Sequence, residues 1–377
     1  MDPADKAAGQ QKVEHYKNPL VFRLMNPHSC FIGFAKYLWG LDFRLLHTWT
    51  YASTKRKNKV GITEHSRCFM ITKIRIATRQ SALALWQANY VAKLINQFWP
   101  KINIELLPML SSGDKFLTAT KLASSGKNLF VKELEQALLA NQADLAVHSM
   151  KDVPTIIPPG LTIAAICKRE NPLDLLIMQK SHSLSTLPKQ AIIGTSSLRR
   201  QAQLLAMRPD LQIIPLRGNI NSRLKRLVHN EFDAIVLAAA GVLRLNLPTP
   251  PCEILSAEFM LPACGQGAVG IECRMDDQIT QQLLTPLNDP LSASCVHNER
   301  YISAALGGNC RTSLAVFCQP DAAGQILMRA KVLSPDGNKV ISDKQHGHLT
   351  QLTALAKKSV KSLLRQGAAT LLTNCHE

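Results

Sequence analysis

Residues 191–241, AIIGTSSLRRQAQLLAMRPDLQIIPLRGNINSRLKRLVHNEFDAIVLAAAG, decide the fold of this chain. Short apolar runs alternate in this stretch with longer segments in which apolar residues recur at helical spacing. The pattern predicts strand, helix, strand, helix and strand in succession. Strands that alternate with helices of this length indicate βαβ units and mostly parallel sheets.

The same alternation precedes this stretch, and a different arrangement follows it. Residues 73–148 run from the strand-like KIRIAT through the helical SALALWQANYVAKLINQF to the strand-like ADLAVH. After Asp289-Pro290 come a helix, a Gly-Gly-Asn-Cys loop, two or three strands and a last helix. We therefore predict an α/β protein with two doubly wound lobes of the periplasmic-binding-protein kind, a cleft between them, and a smaller α/β domain at the C-terminus.

The predicted boundaries separate these three domains from an N-terminal segment. Residues 1–69 show no sustained period of 2 or 3.6, which indicates an appended segment, with Met70 as the expected start of the folded protein. A targeting peptide is the less favoured alternative. Charged residues interrupt the apolar stretch of residues 1–69, which argues against a membrane span, and the segment lacks the pattern of a signal peptide. The three domains are predicted at 70–168 with 268–285, at 172–262, and at 289–377.

The chain is strongly basic, with 44 Lys and Arg against 27 Asp and Glu and a formal net charge of +17. Such a surplus favours nucleic acid, lipid headgroups or a polycarboxylate as partner. Aromatic residues make up only 5%, and the arginines fall in loops that begin helices, so the pattern argues against nucleic acid. The ten cysteines include no C-x-x-C pair, so no metal site is predicted, and most of them suit the core of a cytosolic protein.

Hydroxyl groups and arginines meet where one predicted strand gives way to a helix. IGTSSLRR places Thr195, Ser196 and Ser197 before the helix, with Arg199 and Arg200 in its first turn. Plain N-capping is the alternative interpretation, but capping needs one hydroxyl, and arginines are unfavourable near the positive end of a helix. A bound anion would remove that conflict, so we interpret this loop as an anion site.

Other cations occupy equivalent loops in both lobes, at the strand ends where ligands of parallel α/β sheets gather. The planar fork of arginine suits carboxylates, so the set predicts a cleft for a ligand with many acidic groups. Its members are Arg79 with Ser81, Lys127, Arg217, Arg223 and Arg244.

VHSMKDVP, at residues 147–154, ends a predicted apolar strand in a group of polar residues. Asp152, beside Lys151, can hold a negative charge where positive charge develops on a substrate. His148 could act as a base, but a lone histidine at a strand end is more often a satisfied structural residue. A thiol hydrolase that pairs Cys310 with His148 lacks an orienting Asn or Asp in the sequence.

Cys310 stands directly after two glycines in AALGGNCRTS, residues 304–313. Glycines allow the backbone to turn sharply, so the thiol is presented on a loop. A structural cysteine would normally lie inside an apolar strand or helix.

Taken together, these stretches resemble the hydroxymethylbilane synthase family, also called the porphobilinogen deaminase family. The similar stretches run in family order from about residue 73 to the C-terminus, roughly four-fifths of the chain. They are RIATRQSALALWQA, LFVKELEQALL, ADLAVHSMKDVP, GTSSLRRQAQL, LRGNINSRL, DAIVLAAAGVLRL and LPACGQGAVGIECR, followed by the glycine-flanked cysteine.

The resemblance implies a transferase of tetrapyrrole and haem biosynthesis. Such an enzyme adds four porphobilinogen units to a primer, releases ammonia at each step, and hydrolyses off the linear tetrapyrrole 1-hydroxymethylbilane. It implies that Cys310 carries a dipyrromethane cofactor through a thioether, and that Asp152 stabilises an electron-poor, azafulvenium-like species. By match, the cofactor would be bound by Lys127, Lys151, Asp152, Thr195, Ser196, Ser197, Arg199, Arg200 and Arg217. The substrate would be bound by Arg79, Ser81, Arg217, Arg223 and Arg244.

The chain departs from the family pattern at three places. Ser313 stands where a proline is usual, the loop before Lys127 is about one residue short and lacks a basic residue, and residues 1–69 have no counterpart. We expect a cytoplasmic monomer that binds neither nucleic acid nor membranes. One alternative is a non-catalytic two-lobed ligand-binding protein of the same fold, and another is a binder of anionic surfaces or nucleic acid.

Overall fold

A computed structural model of the chain describes residues 71–110, 131–309 and 312–373. The predicted N-terminal segment, Lys127 and Cys310 lie outside the described residues. The strands are β1 (Lys73–Arg79), β2 (Asn103–Met109), β3 (Leu145–Ser149), β4 (Leu161–Ile166), β5 (Asp174–Met178), β6 (Ile192–Gly194), β7 (Gln212–Ile214), β8 (Ala234–Ala238), β9 (Cys252–Leu255), β10 (Val269–Arg274), β11 (Leu314–Pro320), β12 (Ile326–Leu333) and β13 (Val340–Gly347). The helices are α1 (Ala82–Phe98), α2 (Lys132–Leu139), α3 (Leu198–Met207), α4 (Ile220–Val228), α5 (Ala239–Leu245), α6 (Gln278–Leu284), α7 (Pro290–Ala305), α8 (Leu352–Arg365) and α9 (Ala368–Thr373).

Two five-stranded sheets form the two lobes, and they share one plan. The strand order is β2-β1-β3-β10-β4 in the first lobe and β7-β6-β8-β5-β9 in the second. The first three strands of each sheet are parallel, and the fourth, β10 or β5, is antiparallel to both neighbours. Four of the five strands in each lobe therefore point the same way, as the prediction of mostly parallel sheets requires.

The chain crosses between the lobes twice, and each crossing leads into a reversed strand. The first crossing, residues 167–173, joins β4 to β5, and the second, residues 256–268, joins β9 to β10. Strand β5 reads DLLIM and is buried along its whole length, because its sheet is covered on both faces. Apolar side chains of the helices and sheet strands build the core of each lobe.

The C-terminal domain consists of an antiparallel sheet, β11-β12-β13, packed against α7 and α8. Glu299 of α7 fixes this domain to both crossings. Its carboxylate accepts two hydrogen bonds from Arg169 at 2.6 and 3.1 Å, one from the Gly265 N–H at 2.7 Å and one from the Cys318 N–H at 2.9 Å. A fully buried carboxylate needs this degree of compensation. The joint between the lobes and the C-terminal domain therefore combines a buried, hydrogen-bonded ion pair with apolar contacts.

One predicted element is wrong in its extent. The sequence pattern continued the strand FDAIVLAAAG to Gly241, but β8 ends at Ala238 and α5 begins at Ala239. Alanine has the highest helix propensity, and it overrides the apolar pattern here. Gly241 permits a close approach between helices, because a Cβ there would lie 2.7 Å from the Ile220 Cδ1 atom. Among the described residues, no helix is long and apolar enough to cross a membrane.

Candidate active site

A cleft of about 660 Å³ opens between the lobes at the carboxyl ends of their parallel strands. This is the place that the strand-end cations predicted. Seven of the predicted site residues line it: Arg79, Ser81, Lys151, Asp152, Arg200, Arg223 and Arg244. Five others do not line it: Thr195, Ser196, Ser197, Arg199 and Arg217.

The lining is strongly cationic. Among the described residues around the cleft there are five Lys or Arg side chains, whereas Asp152 is the single carboxylate. Several apolar and backbone groups of α4, α5 and the second crossing complete the wall. The cations suit a ligand that carries several carboxylates. Asp152 suits a part of that ligand on which positive charge develops.

Asp152 lies in a single 3₁₀ turn, Met150–Asp152, that follows β3. Met150 anchors this turn, because its side chain is buried and its N–H donates to the Ala268 carbonyl at 3.0 Å. Two glycines make room for it. A Cβ on Gly270 would lie 2.0 Å from the Met150 Sδ atom, and one on Gly265 would lie 2.9 Å from the Met150 Cβ atom. The turn is thus held against the second crossing and β10.

Lys151 is half-buried beside Asp152 in the cleft wall. Burial is the main cause that lowers its pKa, Asp152 raises it, and Arg200 lowers it, so that the pKa of Lys151 is about 8. A lysine with such a pKa is charged at neutral pH and loses its charge a little above it. Lys151 can therefore hold a carboxylate at neutral pH and release it in alkali.

The hydroxyl groups in the loop before α3 do not act as simple N-caps of that helix. Ser197 is the N-cap residue, but its side chain makes no capping hydrogen bond. Instead, the Thr195 Oγ1 atom accepts from the Ser197 N–H at 3.2 Å, and the Ser196 hydroxyl donates to the Leu216 carbonyl at 3.0 Å. The hydroxyls therefore shape the loop, and the anion-site interpretation of these three residues stays a prediction.

Arg199 and Arg200 lie near the positive end of α3, where arginines are unfavourable. A carboxylate of the chain itself, that of Asp174, compensates their charge. The Arg199 Nη2 atom donates to Asp174 at 2.7 Å, and Arg200 donates to Asp174 through Nε and Nη2 at 3.0 and 2.7 Å. Arg199 and Arg200 also bind main-chain carbonyls of Leu261 and Val236. Asp174 supplies a negative charge beside both arginines, and the role of Arg199 and Arg200 in binding a ligand anion stays a prediction.

Asp174 is fully buried at the start of β5, yet it stays ionised. Burial raises its pKa, but Arg199 and Arg200 outweigh burial and hold the pKa at about 2. Sequence reasoning missed this residue. A lone carboxylate at the head of an otherwise apolar strand was the available signal.

Arg223 and Arg244 reach the cleft from α4 and α5 of the second lobe. The Arg223 Nε–H donates to the Gly218 carbonyl at 2.8 Å, and burial with Arg200 lowers the pKa of Arg223 to about 10. Arg244 lies in the last turn of α5 rather than in a strand-end loop. Its Nη2 donates to the Gly267 carbonyl at 2.7 Å, and its guanidinium lies 5.5 Å from the centre of the Trp86 ring. Arg244 thus links the second lobe to the second crossing and to α1.

His148 is a structural residue, as the favoured interpretation held. Its Nε2 atom lies 2.9 Å from the Glu272 Oε2 atom, and both side chains are buried in the first lobe. It does not line the cleft. Ser81, by contrast, lines the cleft and also caps α1, since its hydroxyl accepts from the Ala84 N–H at 3.3 Å. Within the described ranges, no cluster of three His, Cys, Asp or Glu side chains could hold a metal ion.

The chain is similar to known proteins over most of its length. Residues 74–282 match the family described as "Porphobilinogen deaminase, dipyromethane cofactor binding domain". The porphobilinogen deaminases of Legionella pneumophila strains Lens and Paris are each 54% identical over 300 residues, 80% of this chain and 97% of the relative. A variant of the VFT2 domain of Bordetella pertussis BvgS is 12% identical, with a TM-score of 0.38 over 64% of this chain and 96% of that chain. On the family match and the identity to the two deaminases, this chain belongs to the porphobilinogen deaminase family.

Proposed function

We propose that the cleft divides the family's reaction between arginines that hold carboxylates and one carboxylate that faces the developing positive charge. The chain is an enzyme, a transferase of porphyrin and haem biosynthesis that makes hydroxymethylbilane and uses a dipyrromethane cofactor. The observation that carries the division of roles is that, among the described residues, five cationic side chains and one carboxylate, that of Asp152, line the cleft.

The described residues fit a dipyrromethane. Each of its pyrrole rings carries an acetate and a propionate, and a cleft lined by several guanidiniums and one ammonium offers matching donors. When bound, the cofactor supplies the pyrrole acceptor to which the first substrate unit is joined. We assign its covalent attachment to Cys310, we assign its carboxylates to Lys127, Lys151, Thr195, Ser196, Ser197, Arg200 and Arg217, and we assign Arg199 to the support of this cofactor site.

The proposed role of Arg199 is narrower than that of Arg200. Both bind Asp174, but Arg200 also lines the cleft, whereas Arg199 does not. Arg199 therefore supports the loop from behind, and Arg200 is the residue of the pair that can meet a ligand carboxylate. We assign the substrate carboxylates to Arg79, Ser81, Arg217, Arg223 and Arg244.

Asp152 is the proposed catalytic residue. When ammonia leaves porphobilinogen, positive charge spreads over the pyrrole ring, and a fixed carboxylate lowers the energy of that state. The Asp152 oxygens can also accept from pyrrole N–H groups. The anchoring of Met150 keeps the carboxylate in place without a large rearrangement during each addition.

Further proposals concern the organisation of the protein. Strand β10 lies in the first sheet, which supports the assignment of residues 268–285 to the domain formed by residues 70–168. The second and third domains are proposed at 172–262 and 289–377. We also propose that the enzyme works as a cytoplasmic monomer on a small-molecule substrate, with no nucleic acid or membrane partner.

Intact-mass spectrometry of the purified full chain tests this function. We expect an adduct of two condensed pyrroles on the wild type and no adduct on Cys310→Ser. Bare polypeptide mass together with no turnover of porphobilinogen would favour the non-catalytic ligand-binding alternative. An adduct that survives in Cys310→Ser would overturn the attachment site alone.

A further inference from the structure

We propose that Arg300 is a positioning residue for Asp152, because its guanidinium holds the backbone that leaves the Met150–Asp152 turn. The inference rests on the catalytic role proposed for Asp152. It concerns a residue of the C-terminal domain that does not line the cleft.

The Arg300 guanidinium binds three successive carbonyls immediately after Asp152. Its Nη1 donates to the Val153 carbonyl at 3.0 Å, and its Nη2 donates to those of Pro154 and Thr155 at 2.5 and 3.3 Å. This stretch belongs to no strand, so its carbonyls have no sheet partner. Arg300 supplies the missing donors and fixes the path of the chain out of the turn.

The helix that carries Arg300 also packs directly against the turn. Ala293 and Val296 of α7 share one apolar cluster with Met150 and Val153. Positions 293, 296 and 300 recur at the spacing of one helix face, so a single face of α7 makes both the apolar and the polar contacts. The turn thus rests on α7 on one side and on the second crossing on the other.

The pairing of Arg300 is unusual for a buried cation. Arg300 is only 8% exposed, yet within the part of the chain that the structure describes its guanidinium donates only to neutral carbonyls. Its neighbour Glu299 is turned to the crossings and is satisfied there by Arg169. It is costly to bury a charge that has no counter-ion bonded to it. The planar guanidinium of arginine reaches three carbonyls at once, which the compact ammonium of a lysine could not do. The arrangement is therefore suited to fixing geometry.

The position of α7 gives this contact a functional meaning. The helix ends at Ala305, five residues before Cys310. One rigid element therefore sets both the place of Asp152 and the start of the loop proposed to carry the cofactor. Loss of the Arg300 contacts should displace Asp152 while Arg223 and Arg244, which hold substrate carboxylates from the second lobe, stay in place.

The test compares full-length Arg300→Lys with Arg329→Lys. Arg329 is an equally buried arginine, 8% exposed, that pairs with Glu258 and touches no part of the turn. Amide hydrogen exchange of residues 150–155 is measured with kcat, KM, thermal stability and intact mass. In Arg300→Lys we expect exchange of the Met150 and Val153 amides to rise about tenfold or more. We also expect kcat to fall about tenfold while KM changes less than about threefold.

The control should lose some thermal stability and keep both the exchange rates of the turn and kcat. Val296→Ala, which loosens the same contact without changing the arginine, should shift exchange and kcat in the same direction by less. Unchanged exchange and kcat in Arg300→Lys overturn the proposal. Equal losses of kcat in Arg300→Lys and Arg329→Lys, with exchange raised throughout the protein, also overturn it, since Arg300 would then be only structural.

A parallel Asp152→Asn variant separates this inference from the proposed function. If Asp152→Asn keeps its turnover, the catalytic role of Asp152 fails. The exchange rates of the turn in Arg300→Lys still decide whether Arg300 holds it.

Discussion

Two aspartates near the cleft, Asp152 in the first lobe and Asp174 in the second, have opposite surroundings. Asp152 is half-buried in the cleft wall beside Lys151, whereas Asp174 is fully buried and accepts from Arg199, Arg200 and Gln266. A carboxylate whose oxygens are all engaged cannot respond to charge that forms on a substrate, but one that faces the cleft can. The difference separates a side chain that supports the loop from one that is available for chemistry.

Removal of Asp174 should give the largest effect on stability. Asp174→Ala leaves two guanidiniums buried without their counter-charge, so we expect the free energy of unfolding to fall by about 3–5 kcal/mol. Urea unfolding followed by circular dichroism measures it. Asp210→Ala, which breaks a half-buried surface pair with Arg208, is the control and should cost far less. Equal losses in the two variants would mean that burial of Asp174 adds nothing to its pairing.

Removal of the Asp152 charge should instead affect catalysis. Asp152→Asn keeps the size of the side chain but loses the negative charge, so we expect turnover of porphobilinogen to fall about a hundredfold or more, equivalent to about 3 kcal/mol of barrier. The thermal midpoint should stay near that of the wild type, because the charge is not part of a buried pair. A loss of less than about tenfold would place Asp152 outside the reaction centre.

The sequence predicted the position of Asp152, because that position depends on a local pattern. An apolar strand that ends in Lys151-Asp152 is a local signal, and the described turn follows it directly. The Asp174 pair depends on the order of strands in the sheet, which brings β5 beside β8 and the start of α3 against it. Contacts between residues far apart in sequence leave no periodic signal, so the role of Asp174 was not predicted.

The same limit applies to Arg300 and to the extent of β8. Arg300 contacts a turn almost 150 residues earlier in the chain, and nothing in its own helix indicates this partner. At Ala239, the apolar pattern suits a strand and a buried helix equally, and helix propensity with tertiary packing decides between them.

The cations beside the two aspartates should differ in their response to pH. The pair beside Asp174 consists of arginines, whereas the cation beside Asp152 is a lysine, Lys151, which loses its proton with a pKa of about 8. Because the charged form binds carboxylates and exists below that pKa, kcat/KM for porphobilinogen should fall as pH rises from 8 to 9.5, by up to about tenfold per pH unit. Lys151→Arg should keep its kcat/KM over this range. An alkaline limb shared by both proteins would assign it to another group, such as the substrate amine.

The smallest effect is expected outside the cleft, on removal of residues 1–69. The Legionella relatives match over 97% of their own length and cover 80% of this chain. The unmatched part of each relative is therefore too short to contain a segment equivalent to residues 1–69. The segment carries seven Lys and four Arg against three Asp and two Glu, which leaves the larger part of the +17 charge on the rest of the chain. A chain that begins at Met70 should keep the cationic field of the cleft and match the full chain in thermal midpoint and kcat/KM at moderate salt. If the shortened chain unfolds or loses turnover while its Cys310 still carries the adduct, the segment is part of the enzyme and the boundary at residue 70 is wrong.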